Sequence, residues 1–495
     1  MQPESTPDFN VLVTADEAWP VFERAVLAAK TDIVAGFRIF DMCTKLRSPE
    51  AREIGDDWFD LLAHAVRRGV SLRLVISDFD ADMATPLHEL AWRTVRQGKA
   101  LEEIADAPMG RVTVRAALHP AQPGLIPWLA FLPAVLPHRL RALKQIRGIR
   151  RRRQAVGLDK GSLPEMHTVS HHQKLAVIDG EVLYVGGLDL NERRYDSLEH
   201  DQDASQTWSD VQLVLRGPEA AEARQHLMEF EDVCAGKAEP SHLPLLKRTM
   251  SAPRRFQMPF LSPRTVLSEI EEAHLAAFRN ARHLVYLETQ FLRSGVISDA
   301  LAAAAVQNKD LTSVVVLPGL PEEVAFDDHD GLDARFGMAL QRQAVKELVE
   351  AFGKRITFAV PVRPVMADRE ERDTLAGSPL IHVHNKVLVR DDDYGIVGSA
   401  NLNGRSMRWD TEVAVETTLP DRVAMLRRKL IDHWWWCDLP DEARAPETLQ
   451  DWWRAEIARN AVRMPEHRTG FLVPYDADNE KELEWQLPGV TENIV

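Results

Sequence analysis

Cysteine is scarce in this chain of 495 residues: Cys43, Cys234 and Cys437 stand far apart, without the spacing of a disulfide framework or a thiolate metal site. The N-terminus, MQPESTPDFN, is polar and lacks the apolar run of a secretory signal. No stretch offers the roughly 20 apolar residues of a membrane-spanning helix. Together these absences lead us to expect a cytoplasmic protein without a transmembrane anchor. Net positive charge is missing too: the formal charge of −15 repels nucleic acid at long range, so no nucleic-acid partner is expected. One segment inverts that balance. Between Asp106 and Asp159 there is no acidic residue, while Arg111, Arg115, Arg139, Arg141, Lys144, Arg147 and Arg150 to Arg153 are basic.

What the chain does hold is ordinary for a globular protein, with 45% hydrophobic and 27% charged residues. Its length is enough for two cores. The organising feature is a repeat: Val169 to Asn191 and Ile381 to Asn403 share one template. In each, Lys follows His by two residues, Asp follows Lys by five and Gly follows Asp by seven: His172, Lys174, Asp179, Gly186, then His384, Lys386, Asp391, Gly398. At roughly one in twenty per residue type, two such matches in one chain are not chance.

The residue types suit phosphodiester chemistry. A His titrates near neutral pH and serves as nucleophile or general acid, and a Lys two residues along a strand points to the same side. Displacement on phosphorus needs an attacker and a leaving-group acid on opposite sides, so one copy is half a site. Two copies facing each other across a pseudo-twofold axis complete it.

Elements in order support two alike halves. Helical spacing over Glu17 to Lys30 leads to a strand at Ile33 to Phe40, then a helix from Trp58 to Gly69 and a strand at Ser71 to Ile76. The second half repeats this with a helix at Val266 to Asn280, a strand at His283 to Leu292, a helix at Ala300 to Gln307 and a strand at Leu311 to Leu317. Such alternation marks an α/β layer. The proline-broken stretch Lys237 to Arg264 reads as the connection, which gives an N-terminal lobe 1–255 and a C-terminal lobe 256–495. Aligning Ala29 with Ala281 offsets the halves by 252 residues, whereas His172 and His384 are 212 apart, so the first half carries about 40 extra residues before its motif. They coincide with the basic segment, near 107–158. It includes the apolar, proline-broken GLIPWLAFLPAVLP of Gly124 to Pro137. An apolar loop followed by a basic stretch suits a membrane surface; a buried hairpin backed by a solvated basic helix suits the same residues equally. The tryptophans at 434–436 and 452–453 are expected to pack a helix onto the body.

The two HxKxxxxD stretches resemble those of the phospholipase D superfamily. SHHQKLAVID with VGGLDL and RRYDS, then IHVHNKVLV with GSANLNGRSM and DTE, are similar in wording to the phosphatidylcholine-cleaving phospholipases D. Further echoes are YLETQF from Tyr286, WSDVQLVLRGP from Trp208 and GFLVPY from Gly470. The resemblance spans nearly the whole chain and is weakest from about residue 80 to 165. It implies an α/β fold of two homologous αβα-sandwich lobes related by a pseudo-twofold axis, with the active site at their interface.

The resemblance also implies roles. His172 attacks phosphorus to give a covalent phosphohistidine; His384 protonates the leaving alcohol and then activates water; Lys174 and Lys386 neutralise the phosphate oxygens. No metal and no cofactor are expected, since the ammonium groups supply the positive charge. Asp179 and Asp391 complete the six-residue motif set, with a structural part below the site. Carboxylates downstream of each motif hold the His of the opposite half: Asp210 for His384, and Asp410 or Glu412 for His172. Asn191, Glu288, Gln290, Ser399 and Asn401 are candidate substrate-binding groups; Gly36 stands where Glu288 stands, so Glu288 and Gln290 are expected to have no symmetric mate. His167, His171 and His382 are taken as structural. The implied activity is cleavage of a glycerophospholipid head group, with water or an alcohol as acceptor, by a protein bound peripherally to the membrane. A cardiolipin-synthase-like phosphatidyltransferase is the alternative, ahead of a nuclease or a silent lipid-binding protein. Regulatory modules ahead of the catalytic core are not expected, since the first repeat begins within about twenty residues of Met1.

Overall fold

The computed structural model describes residues 8–145, 163–326, 332–476 and 492, and it builds two mixed sheets. The run Arg150 to Arg153 lies outside the described residues. The first sheet takes β1 (Phe9–Val13), β2 (Asp32–Phe37), β3 (Ser71–Ser77), β4 (Val112–Ala117), β5 (Lys174–Ile178), β6 (Val182–Gly186) and β7 (Val211–Arg216) in the order β1-β7-β6-β5-β2-β3-β4. The second takes β8 (Leu246–Ala252), β9 (Arg264–Ser268), β10 (Leu284–Thr289), β11 (Thr312–Val316), β12 (Ile356–Pro361), β15 (Lys386–Arg390), β16 (Tyr394–Gly398), β17 (Glu412–Thr417) and β18 (Leu472–Pro474) in the order β18-β12-β11-β10-β15-β16-β17-β8-β9. A separate hairpin joins β13 (Thr374–Leu375) to β14 (Ser378–Pro379). The halves match: β2, β3 and β4 run parallel, as do β10, β11 and β12, and the motif strand β5 or β15 lies antiparallel to β2 or β10.

Both motif strands read as continuous apolar runs because both faces of each sheet are covered. One face carries outer helices: Thr14–Ala28, Trp58–Arg67 and Thr85–Ile104 on the first sheet, Glu269–Asn280, Gly295–Gln307 and Leu332–Phe352 on the second. The other faces share a single core, in which Leu175, Val177 and Val185 of one lobe pack in the same cluster as Val387, Val389 and Val397 of the other. The helices Pro218–Cys234 and Pro420–Trp434 contribute Leu227, Leu430 and Trp434 to it. This is the two-lobed α/β architecture expected from the repeat.

Several expectations need correction. Strand β8 precedes residue 255 yet pairs with β17, so the crossing between sheets falls between Cys234 and Leu246 rather than at 255. Prolines broke the periodicity on both sides of β8 and hid a short strand. The helix expected from Val266 starts at Glu269, because Arg264–Ser268 forms the edge strand β9 on β8. The apolar stretch expected as a loop is the helix Leu125–Gln145. Its Pro127 lies in the first turn, where a missing N–H costs nothing, and only Pro133 and Pro137 remove internal hydrogen bonds. Trp434, Trp435 and Trp453 are buried, as a packing role requires, and Trp436 is exposed.

The motif aspartates sit at the far end of their strands, roughly 17 Å from the lysines at about 3.3 Å per residue. Each occupies a tight turn at positive φ, 54° at Asp179 and 46° at Asp391, a region Asp tolerates. Asp179 accepts from the backbone N–H of Lys30, Thr31 and Asp32, and Asp391 from those of Arg282, His283 and Leu284. They fasten the turn after the motif strand to the start of the strand beside it. Their place in the catalytic set therefore becomes a structural one. Asp179→Ala and Asp391→Ala should each cost about 2 kcal/mol of stability, from lost charge-assisted hydrogen bonds, seen as a lower thermal midpoint. Unchanged melting with lost turnover would return them to the site.

Candidate active site

Lys174 opens β5 and Lys386 opens β15, so His172 and His384 stand just past the ends of their own sheets. The opposite lobe holds them. The His172 N–H donates to Thr411 O at 2.9 Å while the Thr411 N–H donates to Ser170 O at 3.0 Å. Symmetrically, the His384 N–H donates to Ser209 O at 2.8 Å and the Ser209 N–H to His382 O at 2.8 Å. These short parallel bridges deliver the next residue of each partner strand to an imidazole. Glu412 Oε1 lies 2.9 Å from His172 Nδ1, and Asp210 Oδ2 lies 2.6 Å from His384 Nδ1. The choice left open between Asp410 and Glu412 thus falls to Glu412. Asp410 instead accepts from the Ser170 N–H at 2.8 Å and pairs with Arg405 at 3.2 Å.

The lysines are buried with the histidines. Lys174 Nζ donates to His172 O at 2.6 Å and lies 3.3 Å from His172 Nε2; Lys386 Nζ donates to His384 O. Burial, then the charges of Lys174, Arg38 and Lys386, hold His172 well below its ordinary pKa, and burial, then Lys386 and Lys174, do the same to His384. Each imidazole feels the lysines of both lobes. Burial pushes Asp210 up to about 7 and Glu412 up to about 8, and lowers Lys386 to about 7. With its Nδ1–H given to ionised Glu412, His172 keeps a free lone pair on Nε2 for attack. The His384–Asp210 pair, sharing one proton, can act as acid.

The remaining candidates divide. Ser399 donates its hydroxyl to Glu412 and so supports His172 indirectly. At the matching place in the other lobe, Gly187 leaves room for Asp210, whose Oδ1 would lie 2.1 Å from any Cβ there. Asn401 is buried, and its Oδ1 has no hydrogen-bond partner among the described residues. Asn191 turns to its own loop, where Oδ1 accepts from the Arg193 N–H at 3.1 Å, so it caps a turn and is not placed as a substrate ligand. Glu288 lies beneath the site, bonded to Tyr286, Asn385 and Trp434, and supports the floor without lining it. His171 bonds Thr411 Oγ1 at 2.9 Å, and His382 packs on Trp208, both structural placements. His167 takes its N–H to Asp80.

Gln290 does have a symmetric mate. Phe37 pairs with Lys174 and Thr289 with Lys386, so Arg38 and Gln290 follow at equivalent positions. Arg38 was missed because its neighbours bear no motif and only strand register reveals the equivalence. Also unforeseen were Arg193 and Arg194, which reach across the interface to Glu322 at 2.9 and 3.2 Å.

Residues 275–435 match the family described as cardiolipin synthase, PLD-like domain. Phospholipase D1 of Cricetulus griseus is 24% identical over 253 residues, 42% of this chain and 24% of that protein. Phospholipase D alpha 1 of Oryza sativa subsp. japonica is 24% identical over 390 residues, 54% of this chain and 48% of that protein. The chain belongs to the phospholipase D superfamily. It spans about a quarter of the length of the first of those relatives and about half of the second. The phosphatidylserine synthase of Haemophilus influenzae shares the fold, with a TM-score of 0.51 at 12% identity over 92% of this chain and 94% of that one.

The buried carboxylates are expected to set a pH dependence. Glu412, held up to about 8, is expected to lose its proton before His172 attacks, which gives the profile its rising limb. Asp210 at about 7 must keep the shared proton and Lys386 at about 7 its charge, so activity falls as they deprotonate. The rate should follow a bell with its maximum between these values. Glu412→Gln should remove the rising limb and lower kcat roughly 10²- to 10⁴-fold, measured as a pH–rate profile on a soluble phosphodiester.

Proposed function

We propose that this chain is a phospholipase D-type phosphodiesterase that cleaves the head-group phosphodiester of a glycerophospholipid to phosphatidic acid and an alcohol. The observation that carries this reading is the pair of cross-lobe histidine–carboxylate contacts, at 2.9 and 2.6 Å, each beside a buried lysine. His172 Nε2 attacks phosphorus, His384 protonates the leaving alkoxide, and the two ammonium groups take the charge on the phosphoryl oxygens. His384, now deprotonated, draws a proton from water, which hydrolyses the phosphohistidine. An alcohol entering in place of water gives transphosphatidylation. The match of 275–435 to a family described as cardiolipin synthase favours such transfer as the second reading.

Peripheral membrane association belongs to the same reading. No helix among the described residues is long and apolar enough to cross a bilayer. The helix Leu125–Gln145 exposes Leu125, Ile126, Leu129 and Leu140, and Phe256, Met258 and Phe260 are exposed in a second segment beside it. The Gly124 and Ile126 N–H groups bind the two segments together through Phe260 O and Met258 O. At its base Ala121 packs with Val169 and Trp409, each three residues from a site residue, His172 or Glu412. An exposed apolar patch in a segment free of acidic residues, beside the site, suits access to lipid at an anionic interface.

Incubation with phosphatidylcholine and ethanol should release choline and yield phosphatidic acid and phosphatidylethanol. His172→Ala should abolish covalent labelling, whereas His384→Ala should still be labelled by a substrate with an activated leaving group. The reverse pattern exchanges the roles, and absence of phosphodiester cleavage refutes the proposal. Replacing Leu129 and Phe256 together by Ser should weaken binding to anionic vesicles by about 2 kcal/mol, read in a sedimentation assay; undiminished binding removes the patch from the membrane role.

A further inference from the structure

His382 stands two residues before His384, is 1% exposed, and has neither ring nitrogen hydrogen-bonded among the described residues. Packing on Trp208, with 4.8 Å between ring centres, accounts for a face of the imidazole and leaves Nδ1 and Nε2 unanswered. Burying a polar group without a partner costs free energy that a bound ligand returns. Burial also holds the pKa of His382 down to about 3. The ring is therefore neutral at physiological pH and presents one N–H donor and one lone pair.

Its direction follows from the bridge to the other lobe. The Ser209 N–H donates to His382 O and the His384 N–H to Ser209 O, both at 2.8 Å, so the backbone from 382 to 384 is extended and the two side chains share a face. Trp208 and Asp210 flank Ser209 and meet that face: the Trp208 ring centre is 4.8 Å from that of His382 and 4.5 Å from that of His384, and Asp210 Oδ2 is 2.6 Å from His384 Nδ1. His382 thus lies about 7 Å along the strand from the acid, on the side away from Lys386. Exposure does not set it apart from the catalytic groups, since His384 and Lys386 are 6% exposed and Lys174 0%. The nucleophile's half closes the same position. Ser170, two residues before His172, gives its N–H to Asp410 at 2.8 Å and its hydroxyl to the same oxygen at 3.4 Å. Open nitrogens therefore belong to the acid's flank. Because displacement on phosphorus runs in line, the departing alcohol and whatever replaces it occupy that flank, opposite His172.

We propose that His382 is the ligand of a further hydroxyl on that alcohol, so that the site favours polyols such as glycerol as head group or acceptor. This rests on the phosphodiesterase reading above and names its substrate class. A hydroxyl both donates and accepts, which answers a neutral imidazole. A quaternary ammonium does neither, and a plain alkyl chain leaves the nitrogens bare. A three-carbon alcohol, hydrogen-bonded at each end, reaches from His384 to His382.

The test compares kcat/KM on short-chain phosphatidylglycerol and phosphatidylpropanol held below their micelle concentration, two lipids of equal charge and carbon count that differ only in hydroxyls. A second arm offers glycerol and 1-propanol together, at equal concentration, as acceptors during cleavage of phosphatidylcholine. Wild type should favour glycerol over propanol by about tenfold or more in at least one arm. In His382→Phe, which keeps a ring against Trp208 without nitrogens, that ratio should fall toward one, and His382→Gln, with a donor and an acceptor, should recover part of it. Each ratio comes from one preparation, so partial misfolding cancels; if His382→Phe is inactive, His382→Leu is read in the same way. Preference in the first arm alone assigns the hydroxyl to the head group, and in the second alone to the acceptor. Equal use of glycerol and propanol by wild type in both arms, or a ratio unmoved in His382→Phe, overturns the inference and leaves the nitrogens to a structural water. Failure of wild type to cleave any of these lipids, or cleavage indifferent to His172→Ala, refutes the phosphodiesterase reading instead.

Discussion

Two small parallel bridges between the lobes, Ser170–His172 with Thr411 and His382–His384 with Ser209, are the contacts on which the site depends. Each histidine lies beyond the last ladder bond of its own sheet, so its position and its tautomer are set from the other half. Backbone hydrogen bonds do this with little freedom, because the carboxylate that orients each ring is the next residue on the strand that makes the bridge. Neither lobe holds half of a working site by itself. The shared apolar core, continuous from Leu175 and Val177 to Val387 and Val389, keeps the bridges in register.

Burying two lysines and two carboxylates costs several kcal/mol per ion unless they answer one another. Here they do so as a mixed cluster in which burial raises the acids and lowers the bases, bringing Asp210, Glu412 and Lys386 toward neutrality. Groups poised this way exchange protons at physiological pH with small driving force, which general acid–base chemistry needs. The same burial would be a plain cost to stability in a protein that did not bind an anion there.

Duplication gives two equal folds, and departures from symmetry decide what each half does. Gly187 opposite Ser399, Asp189 opposite Asn401 and Arg38 opposite Gln290 make the two sides of the interface differ in charge and room. The extra residues of the first half act at a different level. They place the helix Leu125–Gln145 after β4 and fasten it to the loop after β3 through Arg139 and Asp82 at 2.7 Å. An insertion that was only apolar and basic in the sequence is thus a helix tied back onto the first lobe.

The spacing of His, Lys, Asp and Gly, repeated twice, determined by itself that the chain is a duplicated α/β protein with one composite site, because local period and residue chemistry need no knowledge of distant contacts. The two strands that precede each motif in its half and the first helix of each half were legible to within a few residues for the same reason. Strand β8 was not, because its place comes from pairing with β17 and not from its proline-flanked sequence. The tertiary structure alone chose Glu412 over Asp410, removed Asn191 from the candidate ligands and set Arg38 opposite Gln290. Each of those decisions turns on which way a side chain faces at a strand end or loop. That direction is fixed by hydrogen bonds to residues up to 240 positions away, as between Ser170 and Asp410, and a linear pattern carries no record of them.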